Sequence, residues 1–568
     1  MRNWLPRRCL PLKSLAVFSL LAFCCTSAGA QTSFDPISPA ADWQAQDYPD
    51  SQAITRVVYD RAHQRLTAMG KFVGDDTHRS KGEVYLDLRY VPELESTQPL
   101  DFSATTVAVD VDVPAGFHHL YSPSQPERPN GIQIFFKDSA WRCLYGPWQN
   151  TERGRMRRQY RLTYSFATST PAYEDPGFDP ARIMIIGVKF GIAPGSRQRY
   201  GGPLYVTSFH IDPPIAVSPL PQPGSPQDPV FRRNSRIKLE DAAFYVDSKR
   251  WFLAGANYRA LEYAQNFGST AWWPRGNGVT RHPHYIDYYM NLAEDAGIKV
   301  LRVGLGEDGR VLFSPEGRVV GYDRQFKADV RKFLDLAAAH NMRVEFTLLD
   351  YLIGAPAQVV SGVQTMGHAD VITDPAVMKR YINGFLRPFL RDFRAHPALM
   401  SLDLINEPEW LVADSEGGGW DDFSDPRYKP AQPIPLADLH NYALACATAI
   451  RASNRRILVT MGVSSRFAGV AAGLPLDYYA LHHYPNFGDL AQYLHFIPDG
   501  KPWLLEEYPT KGTSKSPADY LGATRSLGGS GALFWNLKPG CDEYTYDLPD
   551  RAALLGAIHD WLQANPPT

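Results

Sequence analysis

MSLDLINEPE, residues 400–409, is a short apolar run that ends on polar and acidic groups, Asn406 and Glu407. Runs of the same kind recur on either side of it. WFLAGAN (251–257), KVLRVGL (299–305) and RVEFTLL (343–349) precede it; RILVTMG (456–462), YYALHHY (478–484), PWLLEEY (502–508) and GALFWNL (531–537) follow. Helix-length amphipathic segments such as YIDYYMNLAEDAG and DVRKFLDLAAAHN separate them. Eight such alternating units predict an α/β architecture, a (β/α)8 TIM barrel over residues 231–568. The competing architecture, a doubly wound open sheet, would want a Gly-rich phosphate loop after an early strand, and the sequence has none.

Upstream, the pattern is different. GEVYLDLRYV (82–91), TTVAVDVDVP (105–114), NGIQIFFKD (130–138), ARIMIIGVKFGI (181–192) and GPLYVTSFHID (202–212) are short alternating or β-branched runs parted by turn residues. They predict an all-β sandwich within residues 31–212. The prolines of PPIAVSPLPQPGSPQDP (213–229) disfavour helix and sheet alike, so 213–230 is expected to be a linker. At the start, Arg2, Arg7, Arg8 and Lys13 precede the apolar run SLAVFSLLAF and the small-residue site Ala28-Gly29-Ala30. Residues 1–30 therefore predict an export signal, and with it a periplasmic or secreted protein without a membrane anchor.

The formal net charge of −2 comes with no basic stripe and no nucleic-acid-binding motif, so no nucleic-acid partner is expected and a neutral partner fits better than a polyanion. Three of the six cysteines lie in the expected signal. The others, Cys143, Cys446 and Cys541, have neither a disulfide-framework nor a zinc-site spacing. No metal or other cofactor is expected.

Polar and aromatic residues gather at the C-terminal ends of the barrel runs: Asn257, Arg302, Asp350, Asn406, Glu407, His482, Tyr484, Glu507 and Trp535. That face is where such barrels carry their active sites. Any one of these residues alone reads as a surface or capping group, but a whole ring of them does not. Two carboxylates, at the ends of strands four and seven, would face each other across the barrel mouth. That placement suits glycoside cleavage, in which one carboxyl protonates the departing oxygen and the other attacks the anomeric carbon from the opposite face.

LINEPE (404–409) and WLLEEY (503–508) closely resemble the acid/base and nucleophile motifs of clan A retaining glycoside hydrolases, family 5 in particular. The resemblance covers roughly residues 236–560 and implies Glu407 as acid/base and Glu507 as nucleophile. It further implies that Arg302, Asn406, His482, Tyr484 and Trp535 line the sugar site. By the same resemblance His482 lies near the acid/base, Tyr484 bonds the nucleophile and Asn406 bonds the sugar 2-hydroxyl. One departure stands out: the family usually ends strand three on a His, whereas this chain reads LLDYLIG, with Asp350 or Tyr351 there.

Glu506 competes with Glu507. Adjacent strand residues point to opposite faces, so only one of the two is expected in the cleft. Glu409 is expected to be a loop or subsite residue. Long loops bring further aromatics, Trp272 and Trp273 after strand one and Trp410 and Trp420 after strand four. They are candidates either for stacking on pyranose rings or for packing the loops down. The upstream sandwich resembles galactose-binding-like jelly rolls of the carbohydrate-binding-module type. Its Trp141, Tyr145 and Trp148 are open to either a sugar-platform or a core reading. The expected partner is a polysaccharide or oligosaccharide and the expected activity retaining, endo-acting β-glycoside hydrolysis. Transglycosylation by the same covalent route, and non-catalytic sugar binding on the same barrel, are the alternatives.

Overall fold

The computed structural model describes residues 32–46, 52–73, 80–94, 99–117, 131–151, 157–192, 199–217, 237–259, 261, 266–268, 278–307, 318–360 and 363–568. The expected export signal, most of the expected linker, and Trp272 and Trp273 lie outside the described residues. The described residues fall into two compact units. Those of Lys13–Leu220 with Arg281–Tyr285 form one, and those of Pro221–Thr280 with Ile286–Thr568 form the other.

In the second unit each of the eight apolar runs contains a barrel strand. They are β1 (Leu253–Asn257), β2 (Val300–Gly304), β3 (Arg343–Thr347), β4 (Leu399–Asp403), β5 (two pieces, Leu458–Thr460 and Gly462–Ser464), β6 (Tyr479–His482), β7 (Trp503–Pro509) and β8 (Gly531–Trp535). All neighbours run parallel. β1 pairs with both β2 and β8. The first piece of β5 pairs with β4 and the second with β6, which carries the ring round. Nearly every strand residue is buried, as expected of a parallel sheet with side chains filling its inside and helices covering its outside.

Helices follow most strands, among them Pro283–Asp295, Arg324–Ala339, Leu436–Ser453, Pro517–Ser526 and Arg551–Ala564. The expectation of eight full βα units fails at two places. After β5 and β6 the chain makes only 3₁₀ turns, Ser465–Ala471 and Leu490–Phe496. Gly469, Gly473 and Pro475 in the first connection, and Pro485, Gly488, Pro498 and Gly500 in the second, leave no uninterrupted stretch for an α-helix.

A small antiparallel sheet that was not read from the sequence precedes β1: Ile237–Glu240, Ala243–Val246 and Lys249–Trp251. Its turns place Asp241, Ala242, Asp247 and Ser248 at positive φ, as tight hairpins require. Phe244, Val246 and Trp251 share one core with Val300, Met400, Leu458, Leu504 and Leu533. The N-terminal mouth of the barrel is thereby plugged, which leaves the opposite mouth for ligands.

His340, at the C-terminus of Arg324–Ala339, ties that helix to the one before it. Its Nδ1 lies 2.7 Å from Glu294 and its Nε2 3.0 Å from Asp287. Burial disfavours the charged ring, but these two carboxylates outweigh it and raise the pKa to about 9. A histidine with a raised folded-state pKa adds stability that is fully present below its unfolded value and is lost as pH rises through about 9. His340→Gln should therefore cost about 1–2 kcal/mol at pH 6, discounted for the partly exposed partners. The loss should vanish at pH 10, and denaturation at the two pH values checks it. An equal loss at both would assign the residue to packing alone.

Among the described residues the first unit contains two large antiparallel sheets, besides the two-stranded pair Thr32–Ser33 with Ala216–Val217. One orders Arg158–Ser165, Thr106–Val113, Arg199–Asp212, Arg65–Val73 and Ile54–Asp60. The other is built around Gly131–Asp138, Ile183–Ile192 and Ser80–Asp87. Alternate residues from both, such as Val84, Val109, Ile134, Val188 and Leu204, make a single core. Trp141, Tyr145 and Trp148 are half-buried. Tyr145 donates to Glu83, and the Lys189 ammonium lies 3.9 Å from its ring centre. Cys143, Cys446 and Cys541 are free thiols. No described helix is long and apolar enough to cross a membrane.

Candidate active site

The geometry of the site begins with Arg302, at the third position of β2 and 5 % exposed. A guanidinium presents five donors in a fixed plane, and here they reach out to several strands. Nη1 donates to Asn257 Oδ1 (3.0 Å) and Glu507 Oε1 (2.7 Å). Nη2 donates to Asp403 Oδ2 and Asn406 Oδ1, both at 2.7 Å. Nε lies 3.1 Å from Glu506 Oε2 and 3.5 Å from Glu345 Oε1. Burial opposes its charge, but four carboxylates hold the proton more firmly than in water.

Glu407 follows β4 and turns the chain sharply. Its φ of 46° is left-handed, a strained conformation for a non-glycine residue, and Pro408 comes next. Its N–H donates to Gly462 O at 2.8 Å, which ties the turn to β5. The side chain is 3 % exposed. Oε2 accepts from the Trp410 indole N–H at 2.9 Å, and Oε1 lies 2.9 Å from His482 Nδ1.

Across the mouth, Glu507 Oε2 accepts from the Tyr484 hydroxyl at 2.8 Å, while Oε1 takes the Arg302 donor. Burial raises the pKa of Glu507 and the nearby charge of Glu407 adds to that; His482, Arg302 and Tyr484 pull it the other way. One carboxylate oxygen of Glu407, one of Glu507 and a ring nitrogen of His482 all lie within 4.8 Å of one another. Such closeness could serve a metal ion. Here His482 already bonds Glu407, the Glu507 oxygens take Arg302 and Tyr484, and a divalent cation would meet the fixed positive charge of Arg302.

Glu506 and Glu507 do not lie on opposite faces of the strand as alternation predicts, although only Glu507 lines the cleft. β7 bulges at this point. Its register with β6 shifts so that His482 pairs with Glu507, and its register with β8 shifts between Leu505 and Tyr508. A bulge breaks the two-residue alternation, so both side chains reach Arg302 and His482 inside the barrel. Glu507 lines the opening of the cleft; Glu506 lies fully buried. Glu409, on the 3₁₀ turn Pro408–Leu411 that follows β4, is a loop residue as expected, but it is buried, accepts from the Ser464 N–H at 2.8 Å and does not line the opening.

The opening is lined by Asn257, Tyr258, Arg259, Arg302, Gly304, Glu307, Thr347, Asp350, Tyr351, Leu352, Asn406, Glu507 and Trp535. Trp535 is fixed by its indole N–H, which donates to Asp542 Oδ2 at 2.6 Å. Asp350 takes the strand-three position. It accepts from Leu352 N at 2.9 Å and from Asn406 Nδ2 at 2.8 Å. Burial lifts its pKa to about 8, with Glu307 and Glu407 adding to the effect.

Arg302, Asn406, Glu407, His482, Tyr484, Glu507 and Trp535 thus converge at one mouth. Trp410 joins them through Glu407, but it is buried against Phe423 and Phe467, with ring centres 5.8 and 5.5 Å away. Trp420 lies apart from the opening. Its indole donates to Pro430 O, and the Lys429 ammonium sits 4.0 Å from its ring centre. Sequence reasoning did not single out the interior carboxylates Glu345 and Asp403. A charged residue inside an otherwise apolar strand, as in RVEFT and LMSLD, was the available signal.

No protein-family model matches the chain. A mannan endo-1,4-beta-mannosidase of Cryptopygus antarcticus is 23% identical over 368 residues, spanning 56% of this chain and 90% of the relative. One of Mytilus edulis is 26% identical over 184 residues, 32% of this chain and 46% of the relative. Among solved structures, a beta-mannanase from Mytilus edulis is 20% identical with a TM-score of 0.47, covering 58% of this chain and 98% of its own. An endo-1,4-beta-mannanase from Eisenia fetida is 21% identical with a TM-score of 0.47, covering 57% and 95%.

Proposed function

We propose that this chain cleaves a β-linked polysaccharide of the mannan class at internal linkages with retention of configuration, Glu407 serving as acid/base and Glu507 as nucleophile. The chain is a glycoside hydrolase: its relatives carry the name mannan endo-1,4-beta-mannosidase. The observation that carries the mechanism is the short approach of the two carboxylates, with oxygens within 4.8 Å. Retaining enzymes hold their carboxyl groups about 5–5.5 Å apart, whereas inverting enzymes leave roughly 6.5–9.5 Å for a water molecule.

The chemistry follows from the contacts. Arg302 and Tyr484 each donate to a different oxygen of Glu507, which favours its ionised form and aims it. It attacks the anomeric carbon while protonated Glu407 gives its proton to the departing oxygen. Glu407, then a carboxylate, takes a proton from the water that releases the sugar. Asn406 is held at both ends, by Arg302 and Asp350. Its remaining amide hydrogen is free for the sugar 2-hydroxyl, a bond that strengthens in the transition state.

Proton NMR of the first products from mannan or an aryl β-mannoside should show the β-anomer before mutarotation. An α-anomer would overturn the retaining mechanism and the role given to Glu507.

A further inference from the structure

Behind the two carboxylates lies a third that the double displacement does not use. Glu506 Oε2 is 2.9 Å from His482 Nε2, and His482 Nδ1 is 2.9 Å from Glu407 Oε1. Carboxylate, imidazole and carboxylate form one line, and all three side chains are buried. The line is built in. The β7 bulge is what turns Glu506 inward beside Glu507. Gly462 on β5 leaves it room, since a Cβ there would sit 2.3 Å from Glu506 Oε2 and 2.8 Å from His482 Nε2.

A neutral imidazole has one N–H and one lone pair. Between two carboxylates it can satisfy both contacts only by gaining a proton, or by accepting one from a protonated partner. Glu506 is not that partner. Arg302 Nε stands 3.1 Å from it. Burial works against its charge, yet the Arg302 guanidinium and His482 hold its pKa below the usual carboxylate range. Nε2 therefore carries a hydrogen toward Glu506, and a single proton is shared along the Nδ1–Glu407 bond.

We infer that Glu506 is a positioning residue for the acid/base: through His482 it fixes the tautomer that faces Glu407 and strengthens the hold of the Glu407–His482 pair on their shared proton. The inference rests on the role proposed for Glu407. Among the described residues the charged and titratable groups facing His482 are Arg302 from β2, Glu407 and Glu409 from the loop after β4, and Glu506 and Glu507 from β7, with Glu345 of β3 and Asp403 of β4 reached through Arg302 and Glu506. β5 presents the backbone of Gly462. Of the carboxylates, only Glu506 bonds Nε2.

Glu506→Gln removes one negative charge at that nitrogen, so the pair should release its proton at lower pH. The basic limb of kcat/KM on mannan should move down by about one pH unit or more, a roughly tenfold loss at a pH above the limb. The acidic limb should move less. Glycosylation by a dinitrophenyl glycoside, which needs no proton, should stay within about twofold of wild type. A profile that merely scales down at every pH, with equal losses on both substrates, would overturn the inference. A reading that needs no variant is ¹⁵N NMR of His482 in the wild-type protein. Nε2 should remain protonated from pH 5 to 9 while Nδ1 titrates, and an unprotonated Nε2 would overturn the inference even if Glu506→Gln does not fold. Because this spectrum reports the ring and not turnover, it stays readable if the assignment of Glu407 fails.

Discussion

Glu507→Ala should abolish turnover, with a loss in kcat on the order of 10⁵-fold on mannan, because without the carboxylate no glycosyl-enzyme forms. The geometry says what happens in the space left behind. Arg302 Nη1 and the Tyr484 hydroxyl, which donate to Glu507 at 2.7 and 2.8 Å, lose their acceptor and face a small cavity. A cation and a hydroxyl around a void make an anion site. Added azide should enter it, attack the anomeric carbon once from the α-face and yield an α-glycosyl azide. Glu507→Gln fills the same space and should show no rescue. A β-configured azide, or labelling of Glu506 rather than Glu507 by a 2-fluoro glycoside, would remove Glu507 from the nucleophile's role.

The barrel was legible because its strands are buried on both sides, so each appears as an apolar run with polar residues at its end. Arg302, Asn406, Glu407, Tyr484 and Trp535 were readable as mouth residues because each stands at or near the polar end of such a run, although Asn406, Glu407 and Tyr484 lie past the last residue of their strands. Glu506 was not readable in that way. Strict alternation puts it outside the barrel, and only the bulge, a feature of pairing between strands and not of one strand's composition, brings it in. Trp410, on a loop, was open to either a stacking or a packing role, and it packs on Phe423 and Phe467. Its bond to Glu407 depends on a left-handed turn at Glu407 that residue types do not announce. The connections after β5 and β6 were misjudged for a simpler reason. Counting strands implied a helix after each, although their glycines and prolines argued locally against it. The small sheet beneath the barrel went unread because its hairpins use Asp, Ala and Ser at positive φ in place of the usual glycine or asparagine.

Glu407→Ala should separate the two chemical steps. It deletes the acceptor of the Trp410 indole and the partner of His482 Nδ1 but leaves Glu507 and its two donors in place. Glycosylation by a substrate with a poor leaving group needs a proton and should slow on the order of 10²–10⁴-fold. A dinitrophenyl glycoside needs none, so its first step should be nearly unaffected. The second step still lacks its base, so the glycosyl-enzyme should accumulate and stopped-flow traces should show a burst of dinitrophenol. Azide, which needs no deprotonation, should then restore steady turnover and give a β-configured product, because it intercepts an intermediate already inverted once. Folding should not suffer. The side chain removed is a buried acid on a strained turn, and its loss relieves desolvation while alanine keeps the same backbone, so Tm should hold or rise. Equal losses on both leaving groups with no burst would place the proton donor elsewhere, and an α-configured azide would exclude a covalent intermediate on Glu507.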